Sequence, residues 1–212
     1  MEERKLPKIQ DLYLDKEVAY KNDVLLTLLN NEPKKEWVKE HPFIRGYKYL
    51  PIDKIEFLLQ KIFKKYRIEI LREGTSFNGV YVVVRVHYQH PITQEMEFHD
   101  GIGASQLQTA KGTSPSDLIN INNGALSMAY PMAKTIAIKD ACDHFGNLFG
   151  ANLNRKDTLN YVADVNLMPR DFSQEIKDAS TKSEMNKLWA SMNESEQKSF
   201  QVEFQKKYAN VQ

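Results

Sequence analysis

Between Lys34 and Tyr49, cationic and aromatic side chains interleave: Lys34, Lys35, Trp37, Lys39, Phe43, Arg45, Tyr47, Lys48 and Tyr49. Cations neutralise phosphates and flat rings stack on bases, which is what a site for single-stranded nucleic acid needs. The same rings can equally serve as anchors beneath a loop, so residue type alone leaves both readings open. A second group, Glu95, Glu97, His99 and Asp100, could hold a divalent cation. Glu95, Glu97 and His99 alternate onto one strand face, and carboxylate oxygens suit Mg²⁺. That chemistry would be a metal-dependent nuclease using Glu95, Glu97 and Asp100. Against it, the lysine two positions beyond an acidic residue, common in strand-borne sites of this kind, is absent. A solvent-facing side of an antiparallel sheet accounts for the same pattern.

Other chemistries find less support. Lys111-Gly-Thr113 lacks the upstream glycine of a phosphate-cradling loop, and Gly101-Ile-Gly103 lacks the third glycine of a dinucleotide fingerprint. The histidines are scattered, without zinc spacing, and no Ser/His/Asp or Cys/His set stands out. Cys142 is the lone cysteine of the chain, so no intrachain disulfide forms; its place in a small-residue helix makes it a packed thiol. No cofactor is expected. Lysine and arginine number 29 against 28 acidic residues, so any polyanion site depends on where charge is concentrated rather than on a global excess. No apolar run approaches the ~20 residues of a membrane span, and the charged start Met-Glu-Glu-Arg-Lys is no secretory signal. A cytoplasmic protein is expected.

Several elements must position these residues. Val18 to Leu29 carries an apolar helical pattern stopped at Asn30-Asn-Glu-Pro33. Ile55, Leu58, Leu59, Ile62 and Phe63 place a helix over Pro51–Lys64. Three strand signals follow, Tyr66–Arg72, Val80–Tyr88 and Glu95–His99, with turns at Gly74–Gly79 and His90–Thr93. Val80, Val82, Val84 and Val86 share one face, which a helix should cover. That helix begins near Ala125, or near Pro131 if the proline opens it. Ala133, Ala137 and Ala141 recur every four residues, and Gly146 and Gly150 close the segment. The result is an α+β fold.

In this order, the aromatic-basic entry, the amphipathic helix, three strands, Asp100-Gly-Ile-Gly103 and the helix Ala133–Asp157 ending in Phe145-Gly-Asn147 and Phe149-Gly150 resemble the Rad-fifty-two-like single-strand annealing proteins. Among these the Sak-type versions of phages are the nearest in size. The match covers Gly46 to Asp157. The resemblance implies a β-β-β-α annealing core, with Asp100-Gly-Ile-Gly103 as a φ-permissive turn ending the third strand. It also implies single-stranded DNA binding and ATP-independent annealing of complementary strands, with no bond chemistry. Lys139 then falls where the family places a lysine that grips the backbone, with Lys134, Arg155, Lys156, Arg85, Lys48, Arg45 and Lys39 as further DNA-binding candidates. Asp140 and Asp143 stand where the family often has arginines, and Asp143 could pair with Lys139 one turn away. A phage structural protein with a similar core is the remaining alternative.

Three regions are expected: an oligomerising core (residues 1–158), a linker (159–171) and a helical module (172–212). In the module Thr181-Lys-Ser-Glu184 and Asn193-Glu-Ser-Glu196 cap two amphipathic helices, a hairpin whose apolar stripe is either a small core or a docking face. By the same resemblance it could contact the host single-strand binding protein or a phage exonuclease. A meander leaves two open edges. The Val80–Val86 strand is too apolar to leave one exposed, which points to a homo-oligomer, ring or helical filament.

Overall fold

The computed structural model of the protein describes residues 15–42, 44–114, 116, 118–157, 161–163, 168 and 170–211. The chain divides into two compact units, the larger spanning residues 18–164 and the smaller made of 1–17 and 165–212. Phe43 and most of the expected 159–171 linker lie outside the described residues.

The larger unit holds α1 (Lys16–Leu29) from Val18 onward, then a short strand pair β1 (Lys39–Glu40) and β2 (Lys48–Tyr49), and α2 (Ile52–Ile62). Three long strands follow, β3 (Tyr66–Ser76), β4 (Gly79–Gln89) and β5 (Met96–Gln106), and then α3 (Ala125–Asp143). The strands form an antiparallel sheet in the order β3-β4-β5, with β4 in the centre. The apolar Val80–Val86 strand is therefore not an edge; both of its flanks are already paired, and the open edges belong to the more polar β3 and β5. Burial along β4 alternates strictly, with Val80, Val82, Val84, Val86 and Tyr88 buried beneath α3. That alternation is what β-branched residues of period two produce when one face of a sheet is covered.

The strands run past their expected ends. β3 continues through Gly74 to Ser76 by way of a bulge between Ile70 and Arg72, and the reversal occupies only Phe77 and Asn78. β5 continues through Asp100-Gly-Ile-Gly103, which is not a turn. Neither Gly101 nor Gly103 has a positive φ. Their missing side chains instead let α3 lie on the strand. A Cβ on Gly101 would come within 2.3 Å of the Ala137 carbonyl oxygen and the Ala141 nitrogen, and one on Gly103 within 2.4 Å of the Ala137 nitrogen. Glycine on the strand and alanine on the helix thus form one close-packed seam. α3 starts at Ala125 and runs through Pro131. At its edge of the sheet, the Ile102 N–H donates to Asp140 Oδ2 at 2.9 Å.

The smaller unit holds three helices rather than a hairpin: α4 (Phe172–Asp178), α5 (Lys182–Ser191) and α6 (Glu194–Tyr208). Both expected capping boxes are formed, at Thr181/Glu184 and Asn193/Glu196. α4 has its own cap, with the Gln174 N–H donating to Asp171. Phe172, Ile176, Met185, Leu188, Met192 and Phe204 pack together, so the apolar stripe is a small core. Among the described residues no helix is long and apolar enough to cross a membrane.

Candidate nucleic-acid interface

A groove of about 600 Å³ lies where the β1–β2 segment meets the chain that follows α3. Lys35, Lys39 and Lys48 line it from one side, Arg155 and Lys156 from the other, with Glu32 and Glu40 as its carboxylates. The second wall begins at Gly146 (φ +120°) and Gly150 (φ +109°), which bracket a 3-10 turn over Asn147–Phe149. Left-handed backbone at these two points suits glycine. Between them Phe149 is buried against Phe63 and Phe145 and pins the turn to the core.

Asparagines tie the walls together. Asn147 Nδ2 donates to the Asn30 carbonyl at 3.0 Å, and Asn152 donates to Asn147. The Lys48 N–H donates to Asn154 Oδ1 at 2.7 Å, while Asn154 Nδ2 donates back to the Lys48 carbonyl at 2.8 Å. Glu40 accepts from the Gly46 N–H at 2.7 Å. The amides and this carboxylate are thus spent on the framework. None of the five cations makes an ion pair with a described residue. What the groove presents to solvent is mainly positive charge.

The aromatic residues of the basic segment mostly serve the framework. Trp37 meets Phe57 edge-on at 5.7 Å, with Lys34 and Lys54 over its ring at 5.3 and 5.9 Å. His41 contacts both Tyr47 and Tyr49 edge-on. Tyr49 lies beneath Lys139, whose ammonium is 4.7 Å from the ring centroid. Burial lowers the Lys139 pKa, opposed by the charges of Asp143 and Asp53. No ion pair joins Lys139 to Asp143 among the described residues. Asp143 itself is pushed up to about 6, chiefly by desolvation and then by the neighbouring Asp140.

Of the expected DNA-binding residues, Lys39, Lys48, Arg155 and Lys156 converge on the groove, and Lys35 joins them. Lys134, on α3, and Arg45, in the β1–β2 connection, are exposed and line no part of it. Arg85 is elsewhere altogether. It alternates with the buried valines and so faces away from α3, donating to both oxygens of Asp100 at 2.7 and 2.8 Å. Its guanidinium also lies 3.8 Å from the Phe98 centroid, and the pairing holds the Asp100 carboxyl below its ordinary range.

The nuclease group is split. Glu97 and His99 lie opposite Tyr88 and Val86, on the helix-covered side and not on a solvent face. Tyr88 donates its hydroxyl to Glu97 at 2.8 Å, and burial, then the charge of His144, lowers the His99 pKa. Asp100 points to the opposite face, and Glu95 precedes the strand. Among the described residues no group of three or more metal-ligating side chains could hold an ion. Cys142 is buried, and burial raises its thiol pKa, as a packed thiol requires. No family model matches the chain, and no curated protein matches it.

Proposed function

We propose that the protein binds single-stranded DNA and anneals complementary strands, without ATP and without making or breaking covalent bonds. The observation that carries this reading is the groove, where five exposed cations from two distant segments converge without an ion-pair partner among the described residues. Charge of this kind engages phosphates without reading sequence. With the amides engaged internally, base edges have little to hydrogen-bond in the groove and stay available for a second strand. Base pairing then supplies the free energy, and the protein's contribution is to reduce phosphate repulsion and hold a strand extended. The order of elements, three strands followed by the small-residue helix, supports the same reading through its resemblance to annealing proteins of the Sak type.

A homo-oligomer, ring or filament, belongs to the proposal. On α3, Met128, Met132 and Ile136 recur every four residues and remain 66, 60 and 40% exposed, an apolar row that a second copy would cover. The small helical unit is the part of the chain offered to a host single-strand binding protein or an exonuclease. The test mixes labelled complementary oligonucleotides with the protein, with and without Mg²⁺. Faster pairing at unchanged strand length, independent of Mg²⁺, is expected. Shortened strands would replace this reading with the nuclease.

A further inference from the structure

Lys139 stands close to the groove in sequence logic but not in its lining. Its ammonium is half-buried over the Tyr49 ring, 4.7 Å from the centroid, and the groove is lined without it. Tyr49, however, is the pivot of the ribbon that carries two of the groove cations. It follows Lys48 directly, and Lys39 lies opposite it in the β1–β2 register. A ribbon of two residues per strand has too little pairing to hold its own position. Beyond that pairing it is held by Leu50, Val38 and Trp37, which pack on the core at its ends, by the two hydrogen bonds between Lys48 and Asn154, and, at Tyr49 itself, by the contact with Lys139 of α3. A cation over an aromatic face in a partly desolvated place is a well-anchored contact.

We propose that Lys139 is a positioning residue, acting through Tyr49 to fix Lys39 and Lys48 in the groove, and that it does not itself meet phosphate. The inference rests on the DNA-binding reading for its consequence, but the contact and the ribbon it holds stand independently of DNA. Two predictions separate this role from a phosphate contact. A lysine on phosphate contributes to the salt dependence of binding, whereas a lysine that only orients others does not. A lysine acting through Tyr49 also has no separate effect once that ring is gone.

The experiment titrates a labelled oligothymidylate with the full-length protein at several salt concentrations. The variants are Lys139→Met, Tyr49→Leu, the double variant and Tyr49→Phe. Each of the first two should weaken binding about fivefold, the loss of one such contact. The double should be no weaker than either, the salt slope should match the unaltered protein, and Tyr49→Phe should recover most of the loss. A slope lower by about one in Lys139→Met alone, or losses that multiply in the double variant, would overturn the proposal. Hydrogen exchange of the His41 amide, which donates to the Tyr47 carbonyl across the ribbon, and of the Lys48 amide, which donates to Asn154, is measured on the same proteins without DNA. It should quicken in Lys139→Met and in Tyr49→Leu alike. Should the unaltered protein hold no oligothymidylate, the DNA reading fails on its own, while unchanged exchange would dispose of the positioning role.

Discussion

A Cβ added to Gly103 would stand 2.1 Å from the carbonyl oxygen of Ala133. No rotamer relieves that clash, because both partners are backbone and the helix is held along the whole seam. Gly103→Ala should therefore destabilise the larger unit by about 3 kcal/mol or more, the upper end for overpacking a filled interior. Gly101→Ala should act in the same direction, since its nearest neighbours are also backbone atoms of α3. Urea unfolding followed by far-ultraviolet circular dichroism measures both. A loss below about 0.5 kcal/mol, the scale of an ordinary surface change, would show that α3 can lift off the strand freely.

The groove makes an equally specific demand. Lys39→Ala, Lys48→Ala and Arg155→Ala should each weaken binding to any single-stranded sequence and lower the salt slope by about one. Arg85→Ala and Lys134→Ala should leave the slope as it is, because neither residue lines the groove. Fluorescence anisotropy over a salt series distinguishes the two sets. Equal slopes for all five would move the binding site elsewhere.

Asp143 gives a pH dependence with a definite sign. Its folded pKa lies at about 6, above the ordinary 3.8, so the folded state binds this proton more tightly than the unfolded chain does. The group therefore favours folding below the ordinary value, and that contribution is lost as pH rises towards about 6. Asp143→Asn should raise the melting temperature at neutral pH and change it little under acid. Thermal unfolding of both proteins on either side of this window is the check; an equal shift at both ends would mean that the carboxyl is not perturbed.

Every residue lining the groove lies between Glu32 and Lys156. A chain ending before Asp171 should consequently keep its affinity for single strands, and anisotropy on the shortened protein tests this. Within the smaller unit, Thr181→Ala and Asn193→Ala each remove a capping box and should cost about 1 kcal/mol of its stability. Exchange rates in α5 and α6 report that cost without reference to DNA.

The parts that could be read from the sequence are those in which neighbours in the chain decide the outcome. The valines of β4, the period of α2 and the capping boxes at Thr181 and Asn193 are local patterns, and each formed as read. Gly101 and Gly103 were legible as special but not in their role, because a glycine under a helix and a glycine in a turn look alike until the helix arrives. α4, only seven residues long, is too short for periodicity to announce it. The groove depends on Lys48 meeting Asn154, separated by 106 positions, so Lys39, Lys48, Arg155 and Lys156 could be named as cations but not assembled. Arg85 met Asp100 only through the β4–β5 register, and Lys139 met Tyr49 only through the packing of β2 on α3.

The carboxylate of Asp140, resting on the Ile102 N–H, acts as a doorstop on the outer strand. A foreign strand seeking to extend the sheet at β5 meets an occupied donor in mid-strand and must evict a charge-assisted hydrogen bond of about 1.5–3 kcal/mol. At this one position of β5 the hazard of an uncovered strand is lessened by the molecule's own helix, while β3 keeps its edge open. Asp140, an awkward neighbour for DNA, is thus engaged at the sheet edge.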